Sequence, residues 1–128
     1  MPVDERFQKG LELFNKKEFF DCHEVIEDLW LETDPGDRYR DLYKGVIQAA
    51  AALYQFERGI LSGALGLYGT STAYLEKYKP VTLGLNVQKL IEDMNACFEV
   101  LNSWNGRDPV NLPAGLMPRL EFSPGAET

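Results

Sequence analysis

Residues 42–56 restrict the fold of this chain more than any other segment, because apolar side chains lie on almost every side of the helix that their spacing predicts. A helix that is apolar all round is normally buried at the centre of a bundle. The alanine run 49–52 leaves room for a neighbouring helix to approach closely. Pro35 before this segment and Gly59 after it favour turns. The sequence therefore predicts a central helix over residues 37–58.

Four further segments repeat apolar residues at helical spacing, and no strand pattern is evident. Asp4 and Asn86 are suited to cap the first and last of these helices. Gly63 and Gly66 fall inside the fourth helix, where each glycine costs about 1 kcal/mol relative to alanine. We expect close packing against the alanine run to offset that cost. The five helices are predicted over residues 4–16, 18–32, 37–58, 60–78 and 86–104.

The short connections between these segments favour antiparallel neighbours. We therefore predict an all-α fold, a compact antiparallel bundle of about five helices over residues 1–105. Residues 106–128 are rich in proline and glycine and are expected to form an extended tail packed on the bundle. The last residues, "SPGAET", are expected to be disordered.

Charge and composition exclude several classes of function. The net charge is −7 and the sequence pI is about 4.7, which disfavours nucleic acid and anionic membrane surfaces as partners. No apolar run is long enough to span a membrane, and the start "MPVDERFQKG" lacks the apolar core of a secretory signal. Cys22 and Cys97 fall in apolar helical patterns, where buried free thiols are expected. These features together favour a cytoplasmic location.

The segment "FFDCHEVIEDLW", residues 19–30, contains the chain's single histidine. His23 and Glu27 are four residues apart and share one helix face. One interpretation is a buried pair that orders the helix, with Trp30 packing nearby and donating one hydrogen bond. The other is a functional pocket, because a carboxylate beside an imidazole favours its protonated form and prepares it for acid–base chemistry.

Gln48 is a polar residue with apolar neighbours on both sides. If the third helix packs on the second, Gln48 could meet Glu24 or Glu27, unless it faces solvent. A buried glutamine needs partners for its amide. We therefore predict a polar pocket between the second and third helices. Its candidate residues are His23, Glu24, Glu27, Trp30, Tyr43 and Gln48.

Two long motifs, "FNKKEFFDCHEVIEDLW" and "LYKGVIQAAAALYQFERGILSGALGLY", resemble the all-helical family called domain of unknown function 309. The resemblance extends over residues 7–105, and "GLNV" at 84–87 has Asn86 where the family has Asp. It implies a compact helical bundle, assigns no activity, and places the family's polar pattern on the second and third helices. The matching residues are Phe14, Asn15, His23, Glu24, Glu27, Trp30, Gly45, Ile47, Gln48, Ala49, Gly63, Ala64, Leu75, Tyr78 and Pro80.

Three hypotheses for function follow. In the first, the pocket binds a small ligand or a partner segment. In the second, the protein is a metal-dependent or acid–base hydrolase that uses His23 and Glu27. Only the first half of a His-Glu-x-x-His motif is present, so we expect neither a metal site nor another cofactor. In the third, the eight acids of residues 18–37 dock a basic partner. The apolar stripe of the fifth helix could also support a homo-oligomer, unless the tail covers it.

Overall fold

Five α-helices form most of the computed structural model, which describes residues 3–123. The predicted all-α class and five-helix bundle are confirmed, although several ends differ from the prediction. The helices are α1 (Glu5–Asn15), α2 (Phe19–Glu32), α3 (Arg40–Glu57), α4 (Leu61–Leu75) and α5 (Val87–Phe98).

The helix α3 is the centre of the bundle, as its apolar pattern predicts. It packs against α4 on one side and α2 on another, while α1 packs against α2. Leu42, Val46, Ala49 and Leu53 of α3 are fully buried. Because α2 and α4 both pack along α3, the orientation of α3 determines which side chains line each surface groove.

The helix ends reflect local hydrogen bonds. The side chains of Asp4 and Asn86 cap α1 and α5 as predicted, accepting from the backbone N–H of Arg6 and Lys89 at 2.8 and 2.9 Å. The start of α3 comes three residues later than predicted, because Asp37 accepts instead from the N–H of Tyr39 at 2.8 Å. Tighter 3₁₀ turns follow α4 and α5, at Glu76–Tyr78 and Glu99–Leu101.

A short β-hairpin that the sequence did not predict joins α4 to α5. Its strands are β1 (Val81–Thr82) and β2 (Leu85–Asn86), which pair antiparallel. Leu83 and Gly84 between them have φ angles of +51° and +79°, the left-handed pair that a tight two-residue hairpin turn requires. Leucine is an uncommon residue for the first of these positions, so the turn carried no recognisable sequence signal.

Asn15 ties the C-terminal tail to the end of α1. Its side-chain amide donates to the carbonyl of Leu120 at 2.9 Å and accepts from the N–H of Leu120 at 2.7 Å. The Leu120 side chain is buried, and Phe122 forms a β-bridge with Leu85. Residues 106–123 thus contact the helices and the hairpin. Of the last residues, 123–128, for which disorder is predicted, Ser123 donates its backbone N–H to the carbonyl of Gly84 at 2.9 Å, and 124–128 lie outside the described part of the chain.

The expected packing of the α4 glycines against the alanine run is wrong. A Cβ added at Gly66 would meet no atom within 4 Å, and one at Gly63 would touch only Ile60 at 3.3 Å. The close approach between α3 and α4 occurs instead at Gly45, where a Cβ would lie 2.6 Å from the Leu75 side chain. Ser71 donates to the Gly45 carbonyl at 2.7 Å in the same contact. This contact fixes how α3 is rotated against α4.

The apolar stripe of α5 is buried inside the bundle, so it does not offer the dimer face considered from the sequence. Cys22 and Cys97 are free and buried, as predicted. Burial raises the pKa of the Cys22 thiol to about 12 and that of Cys97 to about 11.

No helix of residues 3–123 combines the length and the apolar content that crossing a bilayer requires.

Candidate functional site

One side of α2 carries two aromatic residues with two polar residues between them. Phe20, His23, Glu27 and Trp30 are three or four residues apart, so they follow one stripe along the helix. Glu27 Oε2 lies 3.5 Å from His23 Nε2, and Glu24 Oε2 lies 4.0 Å from Nδ1. The imidazole, with 29% of its side chain exposed, therefore has a carboxylate near each nitrogen.

The facing side of α3 supplies the other half of the site. The Tyr54 ring lies 5.5 Å from the Phe20 ring at one end of the α2–α3 groove. At the other end, Arg40 and Lys44 lie over the Trp30 ring, 4.3 and 4.2 Å from its centroid. The groove thus runs from an aromatic pair to a tryptophan covered by two cations.

A cavity of about 160 Å³ opens at the aromatic end of this groove. The Oε1 atom of Gln55 is buried and accepts no hydrogen bond from any of residues 3–123. A buried acceptor without a donor is costly, by about 1–3 kcal/mol. We call this cavity the α2–α3 cleft; it is lined by Phe19, Phe20, His23, Ala51, Tyr54 and Gln55.

The pair of His23 and Glu27 lies at the rim of the α2–α3 cleft. Protonation of the imidazole would convert the pair into an ion pair, and a neutral imidazole could accept or donate one proton. Within the described residues, no three His, Cys, Asp or Glu side chains lie together as a group that could hold a metal ion.

The structure brings only part of the predicted pocket together. His23, Glu27 and Trp30 share the groove, and Glu24 reaches His23 from the solvent side. The expected hydrogen bond from Trp30 is wrong for the described chain, because the buried Nε1 has no partner within residues 3–123. Its indole is held instead between apolar packing and the two cations of α3.

Gln48 and Tyr43 lie away from His23. The expectation that Gln48 meets Glu24 or Glu27 is wrong, because its Oε1 accepts from the hydroxyl of Thr70 on α4. Tyr43 packs 5.3 Å from Phe7 of α1 and lines a separate hollow of about 580 Å³ at the opposite side of α2. The rotation of α3 that the Gly45 contact sets explains both placements.

Sequence reasoning missed the residues that α3 contributes to the cleft. Ala51, Tyr54 and Gln55 carry no distinctive signal in the sequence. The spacing of residues 40, 44, 51, 54 and 55 places them on one side of α3. The sequence alone does not show that α2 packs against this side. The sequence predicts the helix α3 itself, but not the rotation about its axis that turns this side toward α2.

The fold and the cleft define a small helical bundle with one side-chain-sized cleft between two neighbouring helices. Residues 7–67 of the chain match the profile of the family described as Domain of unknown function (DUF309). It is also 32% identical, over 105 residues, to "Uncharacterized protein YpuF" of Bacillus subtilis (strain 168). That alignment covers 80% of this chain and 60% of the relative.

The chain therefore spans less than two thirds of the length of that relative. No solved structure matches the chain. Neither the family's description nor the relative's name assigns an activity. The site geometry must consequently carry any functional conclusion.

Proposed function

We propose that this domain is an interaction module whose α2–α3 cleft receives one ring-bearing or apolar side chain of a partner segment. The observation that carries the proposal is a cavity walled by Phe20 and Tyr54 and lined also by Gln55, whose buried Oε1 has no hydrogen-bond partner among residues 3–123. Aromatic walls favour a ring, and the amide oxygen favours a hydrogen-bond donor beside it.

The size of the cleft supports one side chain rather than a large cofactor. A volume of about 160 Å³ corresponds to about five water molecules at about 30 Å³ each. Burying one aromatic ring there would contribute about 1.5–3 kcal/mol. Phe20 is 49% exposed, so an occupant would also cover apolar surface that the chain leaves open.

The His23–Glu27 pair gives the rim of the cleft its polar character. Its distance of 3.5 Å exceeds that of a strong hydrogen bond, so both groups keep capacity for a partner. The acid–base hydrolase stays a prediction that rests on this pair alone. No observation in the groove places a nucleophile beside it.

The test is an NMR titration of the ¹⁵N-labelled protein with p-cresol, a tyrosine side-chain analogue that has a ring and one O–H donor. We expect saturable shifts of the backbone amides of Phe20, His23, Ala51 and Tyr54. The substitution Ala51→Leu should fill the cleft and abolish these shifts. Ala73→Leu, the same substitution on an exposed position of α4, should preserve them.

Two results would contradict the proposal. One is the lack of saturable shifts around the cleft in the wild-type protein. The other is binding that survives Ala51→Leu unchanged, because p-cresol would then occupy another surface. Both variants should first show the wild-type far-UV circular dichroism spectrum.

A further inference from the structure

The two sides of the α2–α3 groove carry opposite charges. On α2, Glu24 and Asp28 are exposed and Glu27 is half-exposed. None of the three forms an ion pair with a lysine or arginine within residues 3–123, and only His23 approaches Glu24 and Glu27. We call Glu24, Glu27 and Asp28 the acidic lip.

The side formed by α3 is basic. Arg40 and Lys44 lie over the Trp30 ring, and Arg58 lies over the Tyr54 ring and donates to its hydroxyl at 3.0 Å. None of these three cations pairs with a carboxylate in the described part of the chain. We call Arg40, Lys44 and Arg58 the basic lip.

We propose that the occupant of the groove is a second copy of this chain, docked about a two-fold axis that runs along the groove. The inference rests on the proposed function, because it names the partner of the same cleft. The lips do not neutralise each other within one chain, so both leave charge for a partner. A second copy carries both complementary charges at the same spacing.

The direction of the axis follows from the charges. Rotation about an axis along the groove exchanges the two sides, so the acidic lip of each copy faces the basic lip of the other. Rotation about an axis across the groove would place acidic lip against acidic lip, which like charges oppose. The first arrangement assembles α2 and α3 of both copies into four packed helices.

The same rotation preserves position along the groove. The second copy's α2 therefore brings its Phe20 and His23 to the end where Tyr54 and Gln55 lie. Phe20 supplies an exposed ring for the cleft, and the imidazole supplies an N–H for Gln55 Oε1, which has no donor among residues 3–123. Leu31, 66% exposed, is three turns further along the same face of α2 and would be covered at the other end.

Reversing one lip at a time tests this arrangement. The first variant is Glu24→Lys/Glu27→Lys, which makes both lips basic, and the second is Lys44→Glu/Arg58→Glu, which makes both acidic. We expect the wild-type protein to sediment as a dimer, at twice the 14.5 kDa chain mass, and to dissociate as salt is raised. Each variant alone should be monomeric, and an equimolar mixture should form a heterodimer.

A matched control changes the charge equally at other sites. Glu12→Lys/Glu99→Lys alters two exposed carboxylates outside the groove and should remain dimeric. Circular dichroism checks the fold of each variant. If a lip variant fails to fold, the salt dependence of the wild-type dimer and dimerisation of the Ala51→Leu protein decide instead, since a filled cleft should weaken association at least tenfold.

A monomeric wild-type protein at its highest soluble concentration would overturn the inference. A dimer that persists in both lip-reversal variants would overturn the inference as well, because the contact between the two copies would then lie outside the groove. If the wild-type protein is monomeric and still binds p-cresol in the cleft, the second copy is wrong and the proposed function stands. If lip-dependent dimers form but the monomeric lip variants show no saturable p-cresol shifts in the cleft, the proposed function fails.

Discussion

The rings of Phe20 and Tyr54 lie 5.5 Å apart across two helices, and together they form the outer walls of the α2–α3 cleft. Phe20 is half-exposed because no other residue of the described chain covers its outer face. Because solvent already reaches the outer face of the Phe20 ring, removing the ring should cost little folding stability. The same ring should nevertheless add affinity for an aromatic ligand. Phe20 should therefore contribute more to binding than to folding.

Phe20→Ala should weaken p-cresol binding about fivefold while lowering stability by less than about 1 kcal/mol, because the ring is only half-buried. Titration by NMR measures the affinity, and urea unfolding measures the stability. Leu116→Ala, at a site equally exposed but distant from the cleft, should leave the affinity unchanged. Equal affinities for all three proteins would show that Phe20 is not a wall of the binding site.

Gly66→Ala should stabilise the protein by about 0.5–1 kcal/mol, because an added Cβ meets no atom within 4 Å and helix propensity improves. Gly45→Ala should destabilise it, since the new Cβ would lie 2.6 Å from the Leu75 side chain. Urea unfolding of the two variants beside the wild type compares the same substitution at an open and a closed position. Destabilisation by Gly66→Ala would indicate that another residue packs closely against Gly66.

Asn15→Ala should destabilise the protein by about 1–3 kcal/mol, because it removes two hydrogen bonds to the Leu120 backbone and leaves those groups part-buried. Faster hydrogen exchange at the Leu120 amide should accompany the loss. Asn111→Ala, an exposed residue of the same tail, should change neither quantity. If the Leu120 amide exchanges at the same rate in both variants, Asn15 does not anchor the tail.

Asp4 makes part of the stability pH-dependent. A hydrogen bond from the Arg6 side chain at 3.2 Å holds the pKa of the Asp4 carboxyl below its usual value of 3.8. The folded state therefore binds fewer protons than the unfolded state. The contribution is complete above the unfolded pKa and is lost as pH falls through the lower, folded value.

Asp4→Asn should thus lower stability by less than about 1 kcal/mol at neutral pH, because the pair is partly exposed. Asparagine retains the helix cap, so the difference reports the charge. Urea unfolding at a series of pH values should show the gap closing below about pH 4. The gap should also disappear at neutral pH when Arg6→Gln is added, and persistence in that background would assign it to another group.

The sequence predicted the features that depend on the residue spacing within a single helix. The stripe of His23, Glu27 and Trp30 lies on α2 as expected, because their spacing alone places them on one side. Gln48 and Ala51 are only three residues apart in α3, yet one faces Thr70 of α4 and the other lines the cleft. The contact of Gly45 with α4 determines which of the two residues faces α2. Contacts between distant segments cannot be deduced from local residue spacing.

The hairpin and the tail show the same limit. Leu83 adopts a left-handed conformation that leucine rarely takes, so only the surrounding structure could reveal the turn. Asn15 ends α1 as its polar neighbours indicate, but its two hydrogen bonds join residues 105 positions apart. Long-range contacts also determine the α3 half of the candidate site.

The comparison of p-cresol with toluene shows whether Gln55 contributes a hydrogen bond to binding, because the two probes differ by the one O–H that Gln55 Oε1 should accept. We predict that the wild-type protein binds p-cresol about fivefold more tightly than toluene, the effect of about 1 kcal/mol from one hydrogen bond. Gln55→Leu should remove that preference while retaining ring binding. Equal affinity of the wild-type cleft for the two probes, or an unchanged preference in Gln55→Leu, would contradict the account.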